Sequence, residues 1–305
     1  MAAVSQGSFI CAGLATLDRI WRVRALPTGG GKYPAHGYLE AGGGLAATAA
    51  VTIARLGEPV AFWGRVGDDS AAETILTQFR AETVDVAGVR RIVGARSVTA
   101  AILVDDTGER IISADYDPRL DRDASFLCLS AITTARGVLC DVRWPEGAER
   151  VLTAARRHGI PSVLDCEPSA PEVFQKLCPL ATHVIFSTPG LASYAGTTDL
   201  KAGLAMAHAA FGDVVGVTMG ERGSRFKSAS TDIHIPAPAV TVVDTTGAGD
   251  AFHGAYLVAM AETGDMVRAG RFASAVAALK CTRLGGRAGL PTRREAEAFI
   301  REQRS

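Results

Sequence analysis

No stretch of this chain stays apolar for anything near the roughly 18 residues that a membrane-spanning helix requires. The first residues also lack a basic segment followed by a long apolar one. Both absences argue against membrane insertion and export. Net charge is absent as well, since Lys and Arg number 32 and Asp and Glu 32, so no global field draws the chain to nucleic acid or an anionic membrane. The cysteines, Cys11, Cys128, Cys140, Cys166, Cys178 and Cys281, form no C-x-x-C pair, and several stand inside apolar runs such as VLCDV and VLDC. Thiols in that setting read as reduced and buried, which points to the cytoplasm, and none clusters with His at metal-ligand spacing. The phosphate-binding sequence G-x-x-x-x-G-K-[ST] is missing, which excludes a P-loop enzyme. A soluble protein acting on small molecules remains.

What is present is enough for one large core: 305 residues, 48% hydrophobic. The first strand is read at 8–15. A polar stretch rich in Gly and Pro follows, suggesting a small sheet with loops, and then GGGLAATAAVTIARLG (42–57) reads as a glycine turn feeding a helix. A strand at 60–67 and a helix at 68–82 come next, and two strands at 97–104 and 110–114 flank a DDTGE turn. From Gly137 the order becomes regular: strand GVLCDV, helix 146–158, strand PSVLDC, a short helix, strand THVIFS, helix 199–211 and strand DVVGVTMG. Such alternation predicts an α/β fold with a mostly parallel sheet. A β-rich patch at 222–243, helices at 248–263 and 265–282, and a charged helix from Thr292 complete the chain. One main domain over 1–305 with a β-rich insertion is the economical organisation.

The chemistry concentrates in DTTGAGDAFHGA (244–255). Gly247 and Gly249 let backbone amides converge at the mouth of a helix, whose positive end suits phosphate or a developing oxyanion. Asp250 in the same turn is placed to take a proton from an attacking hydroxyl; the plainer alternative is an acid that favours the helix dipole. His253 reads more naturally as a packing or polar-contact residue than as a second base.

Four motifs in order carry a resemblance to the PfkB, or ribokinase-like, carbohydrate kinases. They are GGGLAATAAVTIARLG (42–57), GRVGDD (64–69), VTMGERGS (217–224) and DTTGAGDAFHGA. The resemblance implies a three-layer α/β/α sandwich with a small β-sheet lid from about residues 17–42 and 92–118. It implies ATP and a sugar as partners, magnesium as cofactor, and a homodimer through the lid. It makes Asp250 the base, Gly247, Ala248 and Gly249 the anion hole, and Asp18, Gly43, Gly44 and Thr48 contacts to the sugar. Ser187, Thr218, Gly220, Gly223 and Ser274 would lie along the nucleotide, together with Gly247 and Gly249.

Within the family, LDRI (17–20), LPTGGGKY (26–33), GGGLAATAA (42–50), DVRW (141–144) and FASAVAALKCTRLGGRAGLP (272–291) are similar to the subgroup acting on 6-deoxy-6-sulfofructose at its 1-hydroxyl. That resemblance implies Lys32 and Arg143 as donors to the sulfonate, an anion with acceptors only. Their plainer reading is a solvated loop Lys and an Arg paired with Asp141. Three departures stand out. Thr48 occupies the place of a usual Asn, Ser187 and Gly190 stand where an N-x-x-E motif would help organise magnesium, and no Asn stands near RIISADY (110–116). The metal ligands are therefore unassigned. The stretch LKCTRLGGRAG (279–289) is similar to a loop that binds a monovalent cation in some members.

Overall fold

The computed structural model describes residues 7–120 and 122–303. Residues 1–6, part of the stretch read for an export signal, lie outside the described residues, as do 121 and 304–305. Strand β1 (Phe9–Ala12) begins the large sheet, and β2 (Thr16–Arg22) and β3 (Gly37–Gly43) a smaller one. After α1 (Leu45–Arg55) come β4 (Val60–Val66), α2 (Ser70–Ala81), β5 (Val89–Arg91), β6 (Thr99–Val104) and β7 (Arg110–Asp115). The alternating region holds β8 (Gly137–Asp141), α3 (Pro145–Arg157), β9 (Ser162–Cys166), α4 (Pro171–Leu177) and β10 (His183–Ser187). It continues through α5 (Thr188–Ala195), α6 (Leu200–Phe211) and β11 (Val214–Thr218). An antiparallel pair, β12 (Ser224–Lys227) and β13 (Asp232–Ile235), precedes α7 (Ala248–Thr263), α8 (Met266–Cys281) and α9 (Arg293–Glu302).

The large sheet runs β13-β12-β11-β10-β9-β8-β1-β4-β5, parallel from β11 to β5. Its central strands are buried at every position and mostly apolar, as a sheet covered on both faces requires, the exceptions being Asp141, Ser162 and Asp165. The strand period of two then sorts side chains into two cores. In β1, Phe9 and Cys11 face one core with α1, α7 and α8, while Ile10 and Ala12 face the other with α3 and α6. This is the three-layer sandwich that the alternation of elements predicts. Helix α7 is buried from Ala251 to Ala259, apolar on nearly all sides as a central helix must be. Gly254 allows its close approach to α1, because a Cβ there would stand 2.7 Å from the Ala49 carbonyl oxygen.

Between β1 and β8 the chain changes its direction of travel across the sheet, and open α/β sheets keep their binding crevice at such a point. Asp141 closes the end of β8 there. Its Oδ2 accepts from the Leu14 amide at 2.9 Å and the Ala46 amide at 3.1 Å, and its Oδ1 from the Arg143 amide at 2.8 Å. One buried carboxylate thus joins the turn after β1, the start of α1 and the turn after β8. The smaller sheet has the order β3-β2-β6-β7. Strand β7 is exposed at each of its residues, Ile111 and Ile112 included.

One helix departs from the sequence reading. After the THVIFS strand a single helix at 199–211 is expected, yet α5 starts directly at Thr188. Ser187 caps it by accepting from the Gly190 amide at 3.0 Å, Pro189 occupies its first turn, and Gly196 ends it in the left-handed region. No loop residues separate strand from helix, and the Pro reads locally as a breaker although it is tolerated in a first turn.

Replacing Asp141 with Ala would leave three buried amides without an acceptor. The expected loss is on the order of 3 kcal/mol, measured by denaturant titration. A variant as stable as wild type would show that Asp141 does not hold this junction.

Candidate active site

The turn that leads into α7 is set by Asp244. Its Oδ1 accepts from the Thr246 amide at 2.8 Å and its Oδ2 from the Gly285 amide at 2.8 Å. Gly247, at φ 76°, takes the left-handed conformation before the helix, and Asp250 falls in the first turn. Ala248 and Gly249 open onto a cavity of about 830 Å³. Thr218, Gly220, Gly223 and Ser274 line the same cavity, beside apolar contributions from Pro238, Val240, Phe252 and Ala277. A largely apolar chamber bordered by a helix N-terminus suits a nucleotide, with the base in the apolar part and the phosphates at the positive end. Ser274 Oγ is buried there without a partner and is available to a heterocyclic base. Of the residues read as lying along a nucleotide, Ser187 and Gly247 do not line this cavity.

Ser187 has another task. Besides capping α5, its hydroxyl donates to Glu167 Oε2 at 3.0 Å. Glu167 was not singled out in the sequence. It stands one residue past β9, while the usual acid-bearing motif is sought at the end of β10. Asp165, inside β9, pairs in register with Asp141 on β8, so both point the same way at the C-terminal edge of the sheet. Asp165 Oδ2 lies 3.0 Å from Nδ1 of His253, both side chains being buried. His253 is therefore in polar contact with the acids rather than in apolar packing alone.

Asp250 faces this acid group. Desolvation pushes its pKa well above the carboxylate range, and Asp165, Glu167 and Asp141 push the same way while Arg287 opposes. Glu167 is raised too, first by desolvation and then by Asp165. Asp141 reaches about 6, mainly through burial, against the three amides it accepts. Carboxylates held this close raise one another unless a cation is present.

On the opposite side lie the residues read as contacts to a sugar. Asp18, on β2, accepts from Thr16 Oγ1 at 2.7 Å, and its pKa is raised by burial, against Thr16 and Arg287. A side chain at Gly43 would collide with the Asp18 carboxylate, and Gly44 starts α1 at φ 95°, where a Cβ would meet the Leu14 carbonyl. Thr48 is buried on α1, 3.4 Å from the position of a Cβ on Gly247.

Arg287, which the sequence reading assigned no role, joins these elements. Its Nη2 donates to the Gly43 carbonyl at 2.6 Å, its Nε approaches Thr48 Oγ1 at 3.4 Å, and it lies over Phe79. Its Nη1 is buried with no partner. Burial lowers its pKa to about 10, and Asp18 and Asp250 act against that shift. Arg287 is 239 residues from Thr48 in sequence, so no local pattern announces it. Lys32 and Arg143 stand apart from this group. Lys32 is exposed in the loop between β2 and β3, and Arg143 is exposed with Nη1 donating to the Pro168 carbonyl at 3.1 Å. The Arg143 side chain does not pair with Asp141, whose contact to it is through the backbone.

Comparison with known proteins agrees with the geometry. The model of the pfkB family carbohydrate kinases matches residues 7–293. Ribokinase of Bacillus subtilis is 31% identical over 264 residues, covering 85% of this chain and 87% of that protein. Fructokinase of Klebsiella pneumoniae is 30% identical over 258 residues, covering 79% and 82%. A crystal structure from Agrobacterium tumefaciens, itself provisionally classed as a ribokinase, superposes with a TM-score of 0.94 at 37% identity, covering 99% of this chain and all of that one.

Asp250→Asn removes a proton acceptor without changing the shape of the turn. Turnover is expected to fall by about 10²- to 10⁴-fold while ADP affinity, measured by calorimetry, stays near wild type. In the wild type, a base with a raised pKa is lost as pH falls through that value. The acid limb of kcat/KM is therefore expected above the ordinary carboxylate range. An active Asn variant, or an acid limb near pH 4, would remove Asp250 from the base role.

Proposed function

This chain belongs to the pfkB family of carbohydrate kinases, and from that membership we propose the reaction: transfer of the γ-phosphoryl group of ATP to the 1-hydroxyl of 6-deoxy-6-sulfofructose. The coarser statement, an ATP-dependent phosphotransferase acting on a sugar hydroxyl, belongs to the family itself. The acceptor is the finer step. The observation that carries it is the unpartnered, buried Nη1 of Arg287 beside Gly43 and Thr48; Lys32 and Arg143, on loops outside that group, are the further cations that the proposal assigns to the acceptor. Arg287 has an unpartnered Nη1, Arg143 has one N–H on a carbonyl and bears electrostatically on Glu167, and Lys32 is exposed on the loop of the sheet that carries Asp18. A sulfonate, a monoanion with three acceptor oxygens and no proton, is matched by donors alone. The similarity of LDRI, LPTGGGKY and DVRW to the sulfofructose subgroup supports the same reading.

In this reading Asp18 orients the sugar hydroxyls and Asp250 takes the proton from the attacking one. The turn 247–249 and the α7 N-terminus meet the charge that develops on the transferring group. Magnesium fits the donor set, because Asp165 and Glu167 are neighbouring carboxylates and the Glu167 pKa is raised by desolvation and by Asp165, a situation that a divalent cation relieves. No cluster of three ligating side chains surrounds one point among the described residues, so the ion would be held by one or two carboxylates, water and the nucleotide phosphates. Bound there, it would neutralise charge between the β- and γ-phosphates.

The smaller sheet is proposed as a lid that excludes water from the acceptor. Its outer strand β7, exposed throughout, with Tyr38 and Leu39 also exposed on β3, is proposed as the face that a second copy covers. Free cysteines, four of them buried, are consistent with a cytoplasmic protein.

ADP release measured in parallel with sulfofructose, fructose 6-phosphate, fructose and ribose tests the acceptor. Sulfofructose is expected to give the highest kcat/KM, and a clear preference for fructose 6-phosphate or a neutral sugar would contradict the proposal. Arg143→Ala is expected to raise KM for the sulfonated sugar by about tenfold or more, with little change for fructose. Equal losses on both would assign Arg143 to the fold.

A further inference from the structure

The resemblance of 279–289 to a cation-binding loop can be tested against this chain's own residues. The loop meets the turn before α7 at Asp244. The amides of Val243 and Asp244 donate to the Cys281 carbonyl at 2.7 and 3.1 Å, and Gly285 donates to Asp244 Oδ2. Gly286 packs beneath the turn, its Cα 3.6 Å from where a Cβ on Gly247 would stand. A metal cation at this junction would need its carbonyl and carboxylate oxygens as ligands.

Those oxygens are already engaged by a positive charge. Lys280, in the last turn of α8, is fully buried, and its Nζ donates to the Asp244 carbonyl at 2.6 Å. The same nitrogen lies 3.6 Å from Asp244 Oδ2. A metal ion beside it would meet both a filled site and a like charge. The loop does not fit a monovalent metal ion.

We propose that Lys280 is a tethered monovalent cation: its ammonium group supplies the charge that joins the 279–289 loop to the anion-binding turn, so the enzyme needs no added K⁺ or Na⁺. Three N–H donors on a compact charge resemble a small desolvated cation in what they offer a carbonyl and a carboxylate. Lys280 is a positioning residue. It does not line the cavity, and acts through Asp244, whose carboxylate orients the Thr246 amide one residue before Gly247. The other groups that bear electrostatically on Lys280 are Cys281 on the same helix and Arg110 on β7.

The proposal rests on the kinase reading only for its activity assay, so the test has a second readout. Wild-type enzyme is compared in tetramethylammonium, Na⁺ and K⁺ buffers at equal ionic strength. ADP release is measured with the best acceptor of the panel, and thermal unfolding is measured with and without ADP. Rates within about twofold and the same Tm in all three are expected, since a specifically bound ion would stabilise by mass action. Activation of several-fold by K⁺ or Na⁺, or a rise in Tm specific to one of them, would overturn the proposal. If no acceptor is turned over, the kinase reading fails separately and the unfolding data still decide this one.

Lys280→Ala gives the complementary result. It is expected to lower activity on the order of tenfold to a hundredfold in tetramethylammonium buffer, and K⁺, ammonium or methylammonium should restore part of it. Lys280→Met, which fills the space without charge, should lose as much and not be rescued. Full activity of Lys280→Ala without added cation, or a loss that no small cation restores, would contradict the role. Should Lys280→Ala fail to fold, the wild-type comparison stands alone as the test.

Discussion

Four carboxylates, Asp141, Asp165, Glu167 and Asp250, meet where the C-terminal ends of β8 and β9 face the first turn of α7, and the rest of the site answers that crowding. Burial first and the neighbouring carboxylates second raise the pKa values of Asp141, Glu167 and Asp250. Asp141 is accommodated by three backbone amides, and Asp165 by contact with His253. Glu167 is held by Ser187. Asp250 keeps no such local partner. What opposes its shift is the guanidinium of Arg287, delivered from the far end of the chain. Burying that guanidinium is costly unless its hydrogen bonds and neighbouring charges offset desolvation, and the Gly43 carbonyl, Asp18 and Asp250 supply the offset. A carboxylate of raised pKa and a guanidinium of lowered pKa therefore depend on each other.

This arrangement divides the molecule functionally. Residues 16–48 and Arg287 build the side proposed for the acceptor, residues drawn from 218–281 line the cavity proposed for the nucleotide, and the start of α7 borders both. The close packing of α7 against α1, permitted at Gly254, holds Gly247 against Thr48 and so sets the distance between the two sides. The loop after α8 contributes to each. Gly285 and Lys280 hold the turn through Asp244, and Arg287, two residues beyond Gly285, crosses to the glycine turn before α1. The last turn of α8 and the short loop after it thus tie the turn before α7 to the glycine turn before α1.

Much of this was legible locally. The glycine turn and apolar run at 247–263 are the start and body of α7, and the alternation after Gly137 is that of the parallel sheet, because each rests on contacts near in sequence. Asp250 stood out because a glycine turn and an acid lie in one stretch. Helix α5 was hidden by a Pro that its first turn tolerates. Lys280 and Arg287 fall within the readable stretch 272–291 but carry no local sign of their role, and Glu167 stands just past the PSVLDC strand in no motif at all. Their partners lie 36, 239 and 20 residues away, and only the fold brings them together. The proposed acceptor contacts are the least local matter of all, since Lys32, Arg143 and Arg287 come from three separate loops.

The dependence of Asp250 on Arg287 is the centre of this account, and the pH profile of kcat/KM tests it most directly. Arg287→Gln removes the opposing charge, so the Asp250 pKa should rise further and the acid limb should move to higher pH, while Arg287→Lys, which keeps a positive charge, should move it less. A folded Arg287→Gln enzyme whose acid limb coincides with that of the wild type would contradict the account.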